Sequence, residues 1–127
     1  MVVTVATKKQ VIARDLGVCM LALPGCTGAA QTTDHRANRG AGGSDVLNHP
    51  ANLVGACALC NAAKADGNAA VLADLERRGL YIRKAATNTK TLELAMNRSV
   101  EAPDGALYML VSARVRVRVD QAVRDDR

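Results

Sequence analysis

Apolar residues recur at helical spacing early in the chain. Val11, Ile12 and Leu16 follow Thr7 and Gln10, which are placed as a capping box, so the spacing predicts a helix over roughly residues 8–16 closed by Gly17. Residues 18–28 carry Pro24-Gly25 and Gly28 between and after two cysteines and read as a tight loop. Short strands are predicted at 29–35 (AAQTTDH) and 53–56 (LVGA), separated by a loop over 36–51 rich in Gly, Asn, Ser, Asp and Pro. A helix then runs from about Cys57 to Ala65 with Gly67 as its stop. A further helix over about 69–78 places Val71, Leu72 and Leu75 on one side and ends at Gly79. Beyond Gly79 the pattern shifts toward strands. Residues 91–96 (TLELAM) and 106–112 (ALYMLVS) flank a Pro103-Asp104-Gly105 turn signal. Residues 113–119 alternate strictly, with Arg114, Arg116 and Arg118 on one face and Val115, Val117 and Val119 on the other, the period of a half-buried strand. Residues 121–127 read as a frayed tail. The expected division is a domain over 1–79 and a β-rich C-terminal appendage over 80–127, in an α+β chain.

Composition changes the picture of the core. The 127 residues fit one domain, or one with an appendage, and 49% are hydrophobic, yet 23 of these are alanine. There is no Phe or Trp and there are two Tyr, so the core is thin and calls for a staple, and the composition argues against an aromatic platform for stacking bases. The longest apolar run, Val18 to Leu23, is too short to span a bilayer. No basic-then-apolar export signal is present at the N-terminus, so a reducing, cytoplasmic setting is expected. Seventeen Lys and Arg against twelve Asp and Glu give a net charge of +5, which favours a polyanionic partner.

The four cysteines form two pairs, Cys19-x6-Cys26 and Cys57-x2-Cys60. Tetrahedral zinc takes four thiolates as two close pairs from distant segments. Three residues on a helix turn through about 300°, which puts Cys57 and Cys60 on nearly one side, and the Pro24-Gly25 turn brings Cys19 and Cys26 together. Two disulfides, disfavoured by the expected reducing setting, and four buried thiols are the competing readings. Bound zinc would also supply the missing staple, because its binding free energy becomes folding free energy.

Between the pairs stand Asp34-His35 and Asn52, and Asn61 directly follows Cys60. Histidine as a residue type exchanges protons near neutral pH, Asp34 is a hard oxygen ligand suited to Mg²⁺ or Mn²⁺, and Asn61 offers a neutral one. Asn61 lies about 100° around the helix from Cys60, so one turn can serve two separate sites, and Lys64 shares the face of Asn61. The set DH, NL and CxxCN resembles the HNH nucleases, the ββα-metal (His-Me finger) family, and in particular its phage-type members with a four-cysteine zinc site. The resemblance covers roughly residues 8–67. It implies a ββα-metal core stapled by zinc at Cys19, Cys26, Cys57 and Cys60, with flanking helices. It further implies His35 as general base, Asn52 as the residue that orients the loop carrying it, and Asp34 and Asn61 as ligands of a catalytic Mg²⁺ or Mn²⁺. Where many members carry a final His, this chain has Asn61, an alternative known in the family.

The expected function is a metal-dependent DNA endonuclease that leaves 5′-phosphate and 3′-hydroxyl ends. Its rivals are a non-catalytic zinc-ribbon DNA-binding module and a nuclease acting on RNA. Lys8, Lys9, Arg14, Arg36 and Arg39 cluster around the site in sequence, and Arg36, Arg39 and Lys64 are the expected DNA contacts. His49 reads as an ordinary loop residue. The sequence lacks a recognition-helix signature, so weak sequence preference is expected. For residues 80–127 three roles stand open: packing on the core, a wider DNA footprint, or homodimerisation. The phage-type resemblance implies partners in recombination or genome packaging.

Overall fold

The computed structural model describes residues 2–40 and 45–119. The chain is α+β, and among the described residues it forms four α-helices and two small antiparallel sheets. Helix α1 spans Val5–Arg14. It begins before the expected start because the cap is Thr4 and not Thr7: the Thr4 side chain accepts from the Thr7 amide at 3.1 Å. It ends at Arg14, and Leu16 and Gly17 follow at φ 60° and 72°, with the Gly17 amide donating to Ile12 O at 2.8 Å.

Arg14, at the end of α1, is buried. It pairs with Asp15 at 2.9 Å and donates to Leu53 O, Pro50 O and Ser112 O, so it joins α1 to the second strand and to the C-terminal region. It belongs to the interior, not to the basic surface cluster that its sequence position suggests.

Strands β1 (Thr32–His35) and β2 (Leu53–Ala56) pair antiparallel, with Asp34 opposite Val54 and His35 opposite Leu53. The loop between them contains two single-turn 3-10 helices, Val46–Asn48 and Pro50–Asn52. Helix α2 (Ala58–Ala65) follows β2 directly, with Cys57 as its N-cap. Helix α3 (Ala69–Arg77) is capped by Asn68 and ends at Gly79, which sits at φ 77° against Ser99. A Cβ on Gly79 would lie 2.0 Å from Ser99 O, so only glycine fits there.

The segment after Gly79 departs from expectation in two places. Residues 91–96, expected as a strand, lie in helix α4 (Asn88–Met96), with Thr87 as its cap. The buried positions are Thr91 and Ala95, which are four apart as on one helix face, while Leu94 is exposed. Strands β3 (Val100–Glu101), β4 (Leu107–Leu110) and β5 (Arg116–Arg118) form the second sheet in that order, and the predicted turn at 103–105 joins β3 to β4. On β5 the expected half-buried valine face is not found, and Arg116 departs from its exposed neighbours Arg114 and Arg118. Val115 and Val117 are 47% and 53% exposed, whereas Arg116 turns inward, stacks 3.7 Å from the Tyr108 ring centre and reaches Asp15 at 3.9 Å.

Leu80, Val100, Ala102 and Leu110 share one apolar cluster with Met20, Leu21, Val54 and Leu75, so the segment after Gly79 is built into the core that carries the cysteines. No helix among the described residues is long and apolar enough to cross a membrane. The tail at 121–127 lies outside the described residues.

Candidate functional site

Cys19, Cys26, Cys57 and Cys60 converge, with all four Sγ atoms within 4.8 Å of one another and three of the four residues buried. None of the four is in a disulfide. Four sulfurs each about 2.3 Å from one ion stand about 3.8 Å apart at the edges of a tetrahedron. The Cys26–Cys57 separation of 3.9 Å matches that edge. Backbone amides point at the sulfurs: Gly28 N to Cys26 at 3.3 Å, and Leu23 N to Cys60 and Cys60 N to Cys57 at 3.4 Å each. Such amides favour the thiolate form. Burial pushes the Cys19 and Cys60 thiols up. Burial also acts upward on Cys57, but hydrogen bonds from Thr27 and Cys60 outweigh it and bring this thiol down to about 6. The cluster has the donor set and the spacing to hold a metal ion such as zinc.

The other face of α2 opens on a cavity of about 410 Å³. Asp34, His35, Asn38, Asn61, Lys64 and Tyr81 line it. The structure therefore brings together Asp34, His35 and Asn61 as the sequence reading requires. β1 ends at His35, and so two successive residues, which on a continuing strand would face apart, reach one cavity. The Asn61 side chain makes no hydrogen bond to another described residue, which leaves its amide oxygen available within the cavity.

Asp34 is buried and paired with Lys64, Nζ to Oδ2 at 2.5 Å. Burial raises the Asp34 carboxyl against the pull of Lys64, and burial lowers the Lys64 ammonium against the pull of Asp34. Lys64 also donates to His35 O at 2.7 Å and Leu80 O at 3.1 Å. These bonds correct the expectation that Lys64 meets a DNA phosphate: its donors are spent inside the protein.

Arg36 is corrected for the same reason. It is fully buried, and its guanidinium donates to Gly79 O, Ala51 O, Ala95 O and Arg98 O at 2.7–2.9 Å. Among the described residues no carboxylate pairs with it. Burial, with Arg98 and Arg14 adding repulsion, pulls its pKa down to about 9. Arg39 lies on the far side of His35, in a smaller cavity with Lys8.

Asn52 is buried. Its Oδ1 accepts from Ala37 N at 2.8 Å, and its Nδ2 donates to Ala37 O at 3.1 Å and Leu47 O at 2.8 Å. It therefore clasps both ends of the loop that follows His35. Asn48 stands next to Leu47 and was not singled out by sequence reasoning. Its Oδ1 lies 2.8 Å from His35 Nε2. An amide oxygen can only accept, so this contact puts the ring proton on Nε2 and leaves Nδ1 as the basic atom. Only its place in a polar loop marked Asn48, a signal shared with its neighbours Asn38, Ser44 and Asp45. His49 caps the second 3-10 turn through Nδ1, accepting from Ala51 N at 3.0 Å, a local loop role.

No protein-family model, curated protein or solved structure matches the chain.

Proposed function

We propose that the chain is a metal-dependent DNA endonuclease of the HNH type, in which β1, β2 and α2 form the ββα-metal unit and Cys19, Cys26, Cys57 and Cys60 hold structural zinc. One observation carries the reading: Asp34, His35 and Asn61 line a single cavity beside the cysteine cluster. A binding module needs a stapled fold and basic surface, but it does not need an imidazole oriented beside two oxygen donors.

Asp34 and Asn61 would hold Mg²⁺ or Mn²⁺. The free oxygen donor of Asn61 and the carboxylate of Asp34 suit a hard ion that keeps several waters. Bound there, the ion would supply charge neutralisation to the phosphate and the leaving oxygen. His35 takes a proton from the attacking water on Nδ1, with Asn48 fixing the ring through Nε2 and Asn52 fixing the loop that carries Asn48. The water oxygen bonds to phosphorus and the bond to the 3′ oxygen breaks. Lys64 positions Asp34 and the backbone carbonyl of His35.

The test is nicking of supercoiled plasmid by zinc-loaded protein with Mg²⁺ or Mn²⁺. His35→Ala is expected to lower the rate by about 10²–10⁴-fold, the usual worth of a positioned base, with zinc content unchanged. Nicking by that variant at the wild-type rate sinks the assignment. A non-catalytic zinc-ribbon DNA-binding protein is the second reading, favoured by the ion pair through which Lys64 already neutralises Asp34. Salt-dependent DNA binding with no cleavage under any divalent ion would select it.

A further inference from the structure

His35 forms the wall between two cavities of opposite electrostatic character. On one side is the larger cavity, where the Asp34 carboxylate and the Lys64 ammonium cancel. On the other is a cavity of about 160 Å³ lined by Val2, Val3, Lys8, Thr33, His35 and Arg39. Among the described residues lining this second space there is no carboxylate, and two side chains are cationic. Next in sequence to Arg39, Gly40 is approached by the Lys84 ammonium, at 3.3 Å from where a Cβ would stand. Any side chain at position 40 would crowd that ammonium. Two segments distant in sequence, carrying Lys8 on α1 and Arg39 after β1, thus bring positive charge to one side of His35.

We propose that the Lys8–Arg39 cavity is a phosphate subsite for the DNA strand, seating a backbone phosphate beside the one to be cut, so that the strand runs across His35 from one cavity to the other. The proposal rests on the nuclease reading and gives it a division of labour. The charge-neutral cavity does the chemistry and contributes little attraction to a polyanion. The basic cavity supplies the attraction and sets the strand's path. Beside its two cations the described lining offers only Thr33 and His35 as polar side chains, so the subsite reads charge and not sequence.

The experiment measures binding of full-length, zinc-loaded protein to a fluorescent 20-base-pair duplex (about two turns) across a range of salt, with no Mg²⁺ added. Each phosphate contact contributes about 0.9 to the slope of log affinity against log salt. Lys8→Gln and Arg39→Gln are each expected to flatten the slope by about one contact and to weaken binding by about three- to tenfold at moderate salt. Lys9→Gln removes the same charge from the adjacent exposed position of α1, outside the cavity, and is expected to change affinity by less than about twofold. Equal effects from Lys8→Gln and Lys9→Gln, or no effect from either cavity variant, would overturn the subsite. Should Arg39→Gln lose its zinc or its cooperative melt, Lys8→Gln alone decides. Plasmid nicking by the same wild-type preparation tests the parent reading separately. A slope that depends on Lys8 in a protein that never nicks removes the nuclease and keeps the phosphate subsite. Nicking with a slope indifferent to Lys8 and Arg39 does the reverse.

Discussion

Helix α2 serves two sites that differ in kind. On one side, four sulfurs from two segments crowd together, three of the four residues buried, with amides already pointed at them. On the other, two oxygen donors line an open cavity, and one of them is occupied by a lysine. The sulfur cluster is closed: the chain provides every ligand. The oxygen site is open and carries no net negative charge of its own. A closed set of soft donors suits an ion that holds the fold together, and an open set of hard donors suits an ion that arrives with its substrate. On this reading the first ion stays bound whatever else is present, and the second is held only weakly until a phosphate adds its charge.

The contrast is broken most severely at the sulfur cluster. Cys57→Ala, or removal of zinc by a strong chelator, is expected to abolish the cooperative thermal transition, because structural zinc contributes on the order of 10 kcal/mol of apparent binding free energy to small domains. Metal analysis alongside circular dichroism checks it, and a chelated protein that melts as before would refute the staple.

Acid should produce the same loss by degrees. The Cys57 thiol lies below its ordinary value of 9.0, at about 6. A group lowered in the folded state stabilises fully above its unfolded value and loses that contribution as pH falls through its folded value. Metal binding to thiolates adds an effect of the same sign. Melting temperature and retained zinc should therefore be highest above about pH 9 and fall together as pH drops through neutrality to about 6, measured by titrating the zinc-loaded protein.

Lys64→Gln acts on the oxygen side. It strips Asp34 of its cation while keeping the side chain polar, and breaking such a buried pair costs about 3–5 kcal/mol. It should also let the isolated protein bind Mn²⁺ more tightly, because the cavity then carries net negative charge above the carboxyl's titration range. Paramagnetic relaxation of water protons reads that affinity, and unchanged Mn²⁺ binding would count against Asp34 as a ligand.

Asn48→Ala is the mildest. It removes the partly buried hydrogen bond to His35, a contact worth about 1 kcal/mol of stability, and frees the His35 ring to rotate. Nicking should drop about tenfold with a shift in its pH profile, a change that loss of stability alone would not bring.

The cysteine spacing, the Asp34-His35 pair and the placement of Asn61 were legible in the sequence because each rests on short-range geometry: two residue pairs, one dipeptide and one helical turn. What was not legible depends on contacts between distant segments. Arg36 and Lys64 read as surface cations because charge in a sequence carries no mark of depth. Only the fold shows that carbonyls from residues 51, 79, 95 and 98 surround one, and that Asp34 and two carbonyls from residues 35 and 80 take the other. β5 departs from its alternation because a period of two fixes which residues share a face but not whether that face is covered, and the Tyr108 ring draws in Arg116 alone. Asn48 is invisible for the same reason, since its partner lies 13 positions away.

The guanidinium of Arg36 has a consequence for how this molecule can be cut. Two of its four acceptors, Ala95 O and Arg98 O, come from α4 and the turn after it. A fragment ending at Gly79 would keep the cation and discard half of what solvates it, one residue from the imidazole. Chimeras that graft a foreign C-terminal half onto this N-terminal one must therefore bring carbonyls to the same spot, or replace Arg36 with an uncharged residue, before they can be expected to assemble.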